Sequence, residues 1–183
     1  MIEVEIKAKI NNKEEIKKHL KDIGAKFIKN VRQVDKIYGH PNFLDENDMI
    51  IDGGIVPRIR AVNNKNTLEF KEIVREGGGF EIKSDLSNID IGILFLKKLG
   101  FSEAFTIDKT RDYYTYNNFE ICIDEVDKLG SYIEIEKIVI TNDEKNQARE
   151  DCLNLMKEIA PDLVVESRKY GDLIQEIINQ QNS

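Results

Sequence analysis

Residues 1–10 read MIEVEIKAKI. Ile2, Val4 and Ile6 alternate with Glu3, Glu5 and Lys7. A period of two is the signature of a strand, whose successive side chains point to opposite faces. This stretch specifies a strand with one apolar face and one face that carries acid, acid, base.

The same alternation recurs along the chain. Arg58 and Arg60 share a face in VPRIR, Glu69 and Lys71 in LEFKE, Glu81 and Lys83 in FEIK, Lys109 and Arg111 in DKTR. Asp124 lies opposite Ile121 and Ile123 in ICIDE, and Glu134 and Glu136 lie opposite Ile133 and Ile135 in YIEIEK. One reading is a sheet with a solvated side, where charges need no function. Two features favour another. The charges come in several same-sign pairs, whereas a merely soluble surface intersperses signs. Amphipathic helices also need an apolar surface to cover, and the apolar strand faces are the large one on offer.

Those helices are legible as NNKEEIKKHLKDIGAKF, NIDIGILFLKKLGF, TNDEKNQAREDCLNLMKEIA and YGDLIQEIINQ. Asn142 is the expected cap of the third. About eight strands fill the rest, with a hairpin around Asn63, Asn64 and Asn66 and a second turn at Gly77, Gly78 and Gly79. The expectation is an α+β fold in a single domain, 1–183. Its antiparallel eight-stranded sheet closes to a barrel or tunnel with a charged lumen and helices outside. A charged lumen implies charged contents, because buried charges are expensive unless paired or ligated.

Composition narrows the contents. Hydrophobic residues make up 40%, charged residues 33%, and the net charge is −7. An acidic balance argues against a nucleic-acid or anionic-membrane surface. No apolar run approaches the roughly 18 residues of a membrane span, and no signal-peptide core follows Met1, so the expected location is cytoplasmic. Cys122 and Cys152 read as buried free thiols. Glu3, Glu5, Asp124, Glu134 and Glu136 offer the oxygen ligands that suit Mg²⁺ or Mn²⁺. His19 and His40 are isolated, and no Cys/His cluster suits zinc. Lys7, Arg58, Arg60, Lys71, Lys83, Lys109 and Arg111 offer donors for phosphate oxygens. Acids and bases together are the inventory for a metal-bound polyphosphate, and no Walker-type loop is present.

Glu3-Val4-Glu5-Ile6-Lys7 resembles the E-x-E-x-K signature of the CYTH superfamily, the triphosphate tunnel metalloenzymes. It is followed in order by QVDKIYGHP, VPRIR, LEFKE, FEIK, DKTRDYY, IDEVDKLGSYIEIE and ESRKYGDLI, a series that spans nearly the whole chain. The stretches Gln33–Pro41 and Arg111–Glu136 look most like class IV adenylate cyclases; thiamine and inorganic triphosphatases share the fold. Gly39 after Tyr38, and Pro57 before RIR, depart from the family pattern. The resemblance implies that the five acids surround divalent metals and that the seven bases hold a triphosphate. Lys7, Lys109 and Asp124 are the candidate catalytic groups. A homodimer is an expectation from the resemblance alone.

Three functions fit this inventory. The first is an adenylate cyclase that converts ATP to cyclic AMP and pyrophosphate. The second is hydrolysis of a nucleoside, thiamine or inorganic triphosphate. The third is a non-catalytic polyphosphate or nucleotide-binding module, against which the carboxylates argue, since anion binding needs bases alone. Among the other residues, the tyrosines read as strand packing, His40 as a remote candidate for a general base, and Ser167, Arg168 and Tyr170 as a helix start.

Overall fold

The computed structural model describes residues 2–74 and 80–182. Gly77, Gly78 and Gly79, the expected second turn, lie outside the described residues. The chain runs β1 (Ile2–Ile10), α1 (Lys13–Asp22), β2 (Lys26–Gly39), β3 (Gly54–Val62), β4 (Lys65–Ile73), β5 (Glu81–Asp85), α2 (Ile89–Lys98), β6 (Ser102–Tyr116), β7 (Phe119–Val126), β8 (Gly130–Val139), α3 (Lys145–Ile159) and α4 (Tyr170–Asn182). The strands form an eight-stranded sheet in the order β1-β8-β7-β6-β2-β3-β4-β5. Neighbours such as β1 and β8, or β3 and β4, run antiparallel. The fold is the expected α+β class. No described helix is long and apolar enough to cross a membrane.

The chain divides into two compact units. One comprises Met1–Val31 and Thr110–Ser167, the other Arg32–Lys109 and Arg168–Ser183. In the first, Ile6, Ala8 and Ile10 of β1, Ile121 and Ile123 of β7, and Ile133 and Ile135 of β8 form one apolar surface. Ile16 and Leu20 of α1 and Cys152, Leu155, Met156 and Ile159 of α3 cover it. Each such isoleucine contributes about 1.5–3 kcal/mol by burial. The His19 ring donates from Nδ1 to the Ile159 carbonyl at 2.8 Å, tying α1 to the end of α3. Cys122 and Cys152 are free and buried, and burial raises the Cys152 thiol to about 11.

In the second unit, Tyr38 of β2, Ile59 of β3 and Leu96 of α2 make a smaller core with Leu68, Phe70, Leu86, Ile93 and Phe101. The β3–β4 hairpin turns through Asn63 and Asn64, with φ of 48° and 64°. Two central residues at positive φ match the twist of the flanking strands, which is why asparagine suits both positions.

Two boundaries differ from the sequence reading. Helix α1 stops at Asp22 rather than running to Phe27, because Gly24 adopts φ 86° and Lys26 already belongs to β2. Asn142 does not cap α3. A short 3₁₀ turn precedes that helix, and the Glu144 carboxylate accepts from the Ile140 and Thr141 N–H groups. Reaching back to those donors satisfies the helix entry better than Asn142 can.

Ile133→Ala leaves a cavity in a fully packed surface and is expected to cost about 2–5 kcal/mol in urea denaturation. Ile138→Ala, at a side chain 55% exposed, is expected to stay within about 0.5 kcal/mol. Equal losses would contradict the assignment of faces.

Candidate functional site

Register decides which charges meet. Glu5 pairs with Glu136 and Lys7 with Glu134 across β1 and β8, and Glu120 pairs with Glu136 across β7 and β8. Residues directly opposite each other point to one face. Glu3, Glu5, Lys7, Glu120, Asp124, Glu134 and Glu136 therefore share the face turned away from α1 and α3. Part of it is buried: Lys7 is 3% exposed, Asp124 0% and Glu134 8%, while Glu5 and Glu136 are half-buried and Glu3 and Glu120 are exposed.

The five predicted acids fall into two groups. Asp124 and Glu134 grip Arg111. Its Nε and Nη2 donate to the Asp124 carboxylate at 2.6 and 2.5 Å, and Nη2 also donates to Glu134. Burial alone would make this guanidinium easier to deprotonate; Glu134 and Asp124 reverse that and hold it charged. Glu136 belongs to the second group. Burial, then the charges of Glu3, Glu120, Glu5 and Glu134, push its carboxyl up to about 7. Sequence reasoning missed Glu120, although it shares a face with Asp124 four residues on. Among the described residues, no three His, Cys, Asp or Glu side chains converge closely enough to hold a metal ion. The donor set is nonetheless of the chemical type that a hard divalent cation takes. It offers carboxylate oxygens that repel one another, and a divalent cation offsets that repulsion.

The second unit gathers the other bases. Arg58 and Arg60 pair with Glu69 and Thr67 on β4 and with Ile37 and Asp35 on β2, while Lys83 and Glu81 of β5 pair with Glu69 and Lys71. Arg60 binds Asp35 through two parallel bonds of 2.7 Å. Arg58 donates to Glu69 through Nε and to Glu81 through Nη2 at 3.2 Å. Lys71 lies 3.5 Å from Glu81, and Lys83 lies 3.5 Å from Glu69. Burial would raise the Glu69 carboxyl, but Arg58, Arg60 and a bond from Thr67 overcome it and hold the group at about 2. The sequence flagged the four bases and not the roles of Asp35 and Glu69, because an acid between arginines on neighbouring strands is visible only once register is known.

Lys109 is 6% exposed, with its Nζ 4.9 Å from the centre of the Tyr170 ring. His40 is not placed as a base. Its Nδ1 accepts from the Asn42 N–H, and its ring packs on Phe43 and Phe101. The two departures from the family pattern serve packing. Pro57 is fully buried, and a side chain at Gly39 would meet Leu44 Cδ1 at 3.3 Å. At the start of α4 it is Asp172, rather than Ser167, that accepts from the Lys169 N–H, and Arg168 pairs with Glu176 at 2.7 Å.

The CYTH domain model matches residues 1–169. A protein of Methanocaldococcus jannaschii named "Putative adenylate cyclase" is 32% identical over 164 residues, 87% of this chain and 90% of that protein. A solved structure from Pyrococcus horikoshii matches with a TM-score of 0.79 at 29% identity, covering 96% of this chain and 99% of that one. A Hippeastrum protein described as having a dominant triphosphatase activity shares the fold at a TM-score of 0.66 and 14% identity, covering 96% of each chain.

Glu69 yields a pH prediction. Its folded carboxyl titrates at about 2, below the ordinary 4.5. The stabilisation, roughly 3 kcal/mol, is present above pH 4.5 and lost as pH falls toward 2. Denaturant titrations should show the wild type losing more stability over that window than Glu69→Gln. Parallel losses would contradict the buried pairing.

Proposed function

Since the chain belongs to the CYTH domain family, we propose that residues 1–183 act as one domain, a metal-dependent enzyme for a nucleoside triphosphate. Its proposed reaction is that of a class IV adenylate cyclase, with ATP converted to cyclic AMP and pyrophosphate. The observation that carries the proposal is the single charged face on which register gathers Glu3, Glu5, Lys7, Glu120, Asp124, Glu134 and Glu136. Burial and the neighbouring charges of Glu3, Glu120, Glu5 and Glu134 push the Glu136 carboxyl up to about 7, a repulsion that a divalent cation would relieve.

Glu3, Glu5 and Glu136 would hold Mg²⁺ or Mn²⁺, with Asp124 and Glu134 completing the set. When bound, the cation lowers the pKa of the attacking hydroxyl and offsets charge on the leaving pyrophosphate. The protein's own groups supply the rest. In the cyclase reaction the ribose 3′-oxygen bonds to the α-phosphorus, and the bond from that phosphorus to the bridging oxygen breaks. Lys7, Lys109 and Arg111 would stabilise the charge that develops on the phosphate oxygens. Arg58, Arg60, Lys71 and Lys83 would bind the remaining phosphates. Asp35 and Glu69 would fix the two arginines, whose planar forks suit phosphate as they suit carboxylate.

A second reading is hydrolysis of a triphosphate. The dominant triphosphatase activity described for the Hippeastrum protein favours it. The same acids and bases serve it, with water as the nucleophile and a different phosphorus attacked.

Product analysis after incubation with ATP and Mn²⁺ or Mg²⁺ separates the two readings. Cyclic AMP with pyrophosphate is the expected result; ADP with orthophosphate would replace it with hydrolysis. Glu5→Ala should abolish turnover and leave the thermal melt unchanged, since it removes a ligand and no apolar core. Arg58→Ala should raise KM at least tenfold, about the effect of losing one charge-assisted bond. Full activity of Glu5→Ala would overturn the role of the acidic face, and an unchanged KM in Arg58→Ala would overturn that of the arginines.

A further inference from the structure

The charged cluster of the second unit sets three acids among its bases, and the three are not equivalent. Glu69 and Asp35 are built in. Their side chains are 0% and 5% exposed. Glu69 has Arg58, Arg60 and Lys83 beside it and accepts from the Thr67 hydroxyl at 2.8 Å. Asp35 accepts both parallel bonds of Arg60. Taking the partners from either would leave a buried charge uncompensated, which is expensive. Glu81 differs. It lies on β5, a strand at the end of the sheet order whose five residues are all exposed. Its side chain is 32% exposed, and ion pairs that open to water contribute little.

The partners of Glu81 are two of the bases assigned to phosphate. Arg58 Nη2 lies 3.2 Å from one carboxylate oxygen and Lys71 Nζ lies 3.5 Å from the other. A guanidinium from β3 and an ammonium from β4 thus converge on one anionic centre, each with its own oxygen. A phosphate group is held in the same way. Arg58 keeps its Nε on Glu69 while its Nη2 donates to Glu81. The buried acid sets the plane of the guanidinium, and the exposed acid occupies the Nη2 position. A phosphate that takes Nη2 and Lys71 therefore displaces Glu81 and neither buried acid.

On the basis of the phosphate role of Arg58, Arg60, Lys71 and Lys83, we propose that Glu81 is an internal competitor for that site. It competes with phosphate for Arg58 and Lys71 and lowers the affinity of the cluster for a polyphosphate. Substrate and product are weakened alike, which raises KM and speeds release. Isothermal titration calorimetry with inorganic tripolyphosphate, without added divalent cation so that nothing turns over, tests it. Glu81→Gln is expected to bind about fivefold more tightly than the wild type, the upper range for an exposed ion pair, with an unchanged circular dichroism spectrum. Asp85→Asn removes the same charge from the same face of β5 and should stay within about twofold. In an Arg58→Ala background the gain from Glu81→Gln should shrink, because one of the two cations through which it acts is gone. Equal or weaker binding by Glu81→Gln would overturn the proposal. So would an equal gain from Asp85→Asn, which reports net charge alone, or a gain undiminished by Arg58→Ala. Failure of tripolyphosphate to bind either the wild type or Glu81→Gln would overturn the phosphate role of the four bases, and the competitor role with it.

Discussion

Ile121, Ile123, Ile133 and Ile135 are fully buried, and each one fixes where its neighbours in the chain must point. A strand cannot turn Ile133 and Ile135 toward α3 without turning Glu134 and Glu136 away from it. That geometric coupling is the constraint on which the rest of the first unit depends. The apolar face supplies the stability, and the charged face is carried along at a fixed spacing. A slip of one residue would send every charge into the helices, so the core that holds the fold also holds the acids in register.

The two units handle buried charge differently. In the second, Asp35 and Glu69 lie between Arg58 and Arg60, and Lys83 stands beside Glu69. Opposite charges meet there, and the Glu69 carboxyl is held low. In the first, Arg111 binds Asp124 and Glu134, while Glu136 is pushed up among Glu3, Glu5 and Glu120. One set is close to balanced and the other has an acidic excess. In chemical type, the acidic excess of the first unit suits a divalent cation and the paired arginines of the second suit phosphate oxygens.

Much of this was legible in the sequence. Period-two alternation identified the strands and the charged residues that share faces, and the Asn63–Asn64 hairpin was readable from its turn chemistry. Three things were not. Register between strands is a tertiary property, so the partition of five acids into an Arg111 clamp and a repelling group had no local signal. Asp35 and Glu69 looked like ordinary strand residues until neighbouring strands brought arginines to them. The exposure of Ile91, Leu94, Phe95 and Leu99 was hidden for a different reason: the segment Asn88–Phe101 reads as one of the amphipathic helices, and only the fold shows which of its apolar side chains stay uncovered.

We propose above all that the acids opposite α1 and α3 hold a divalent cation. Isothermal titration calorimetry with Mn²⁺, on the wild type and on Glu136→Gln, tests it most directly. The account predicts saturable binding to the wild type, weakened at least tenfold, about 1.4 kcal/mol, in the variant. Equal affinities, or no binding to the wild type, would contradict it.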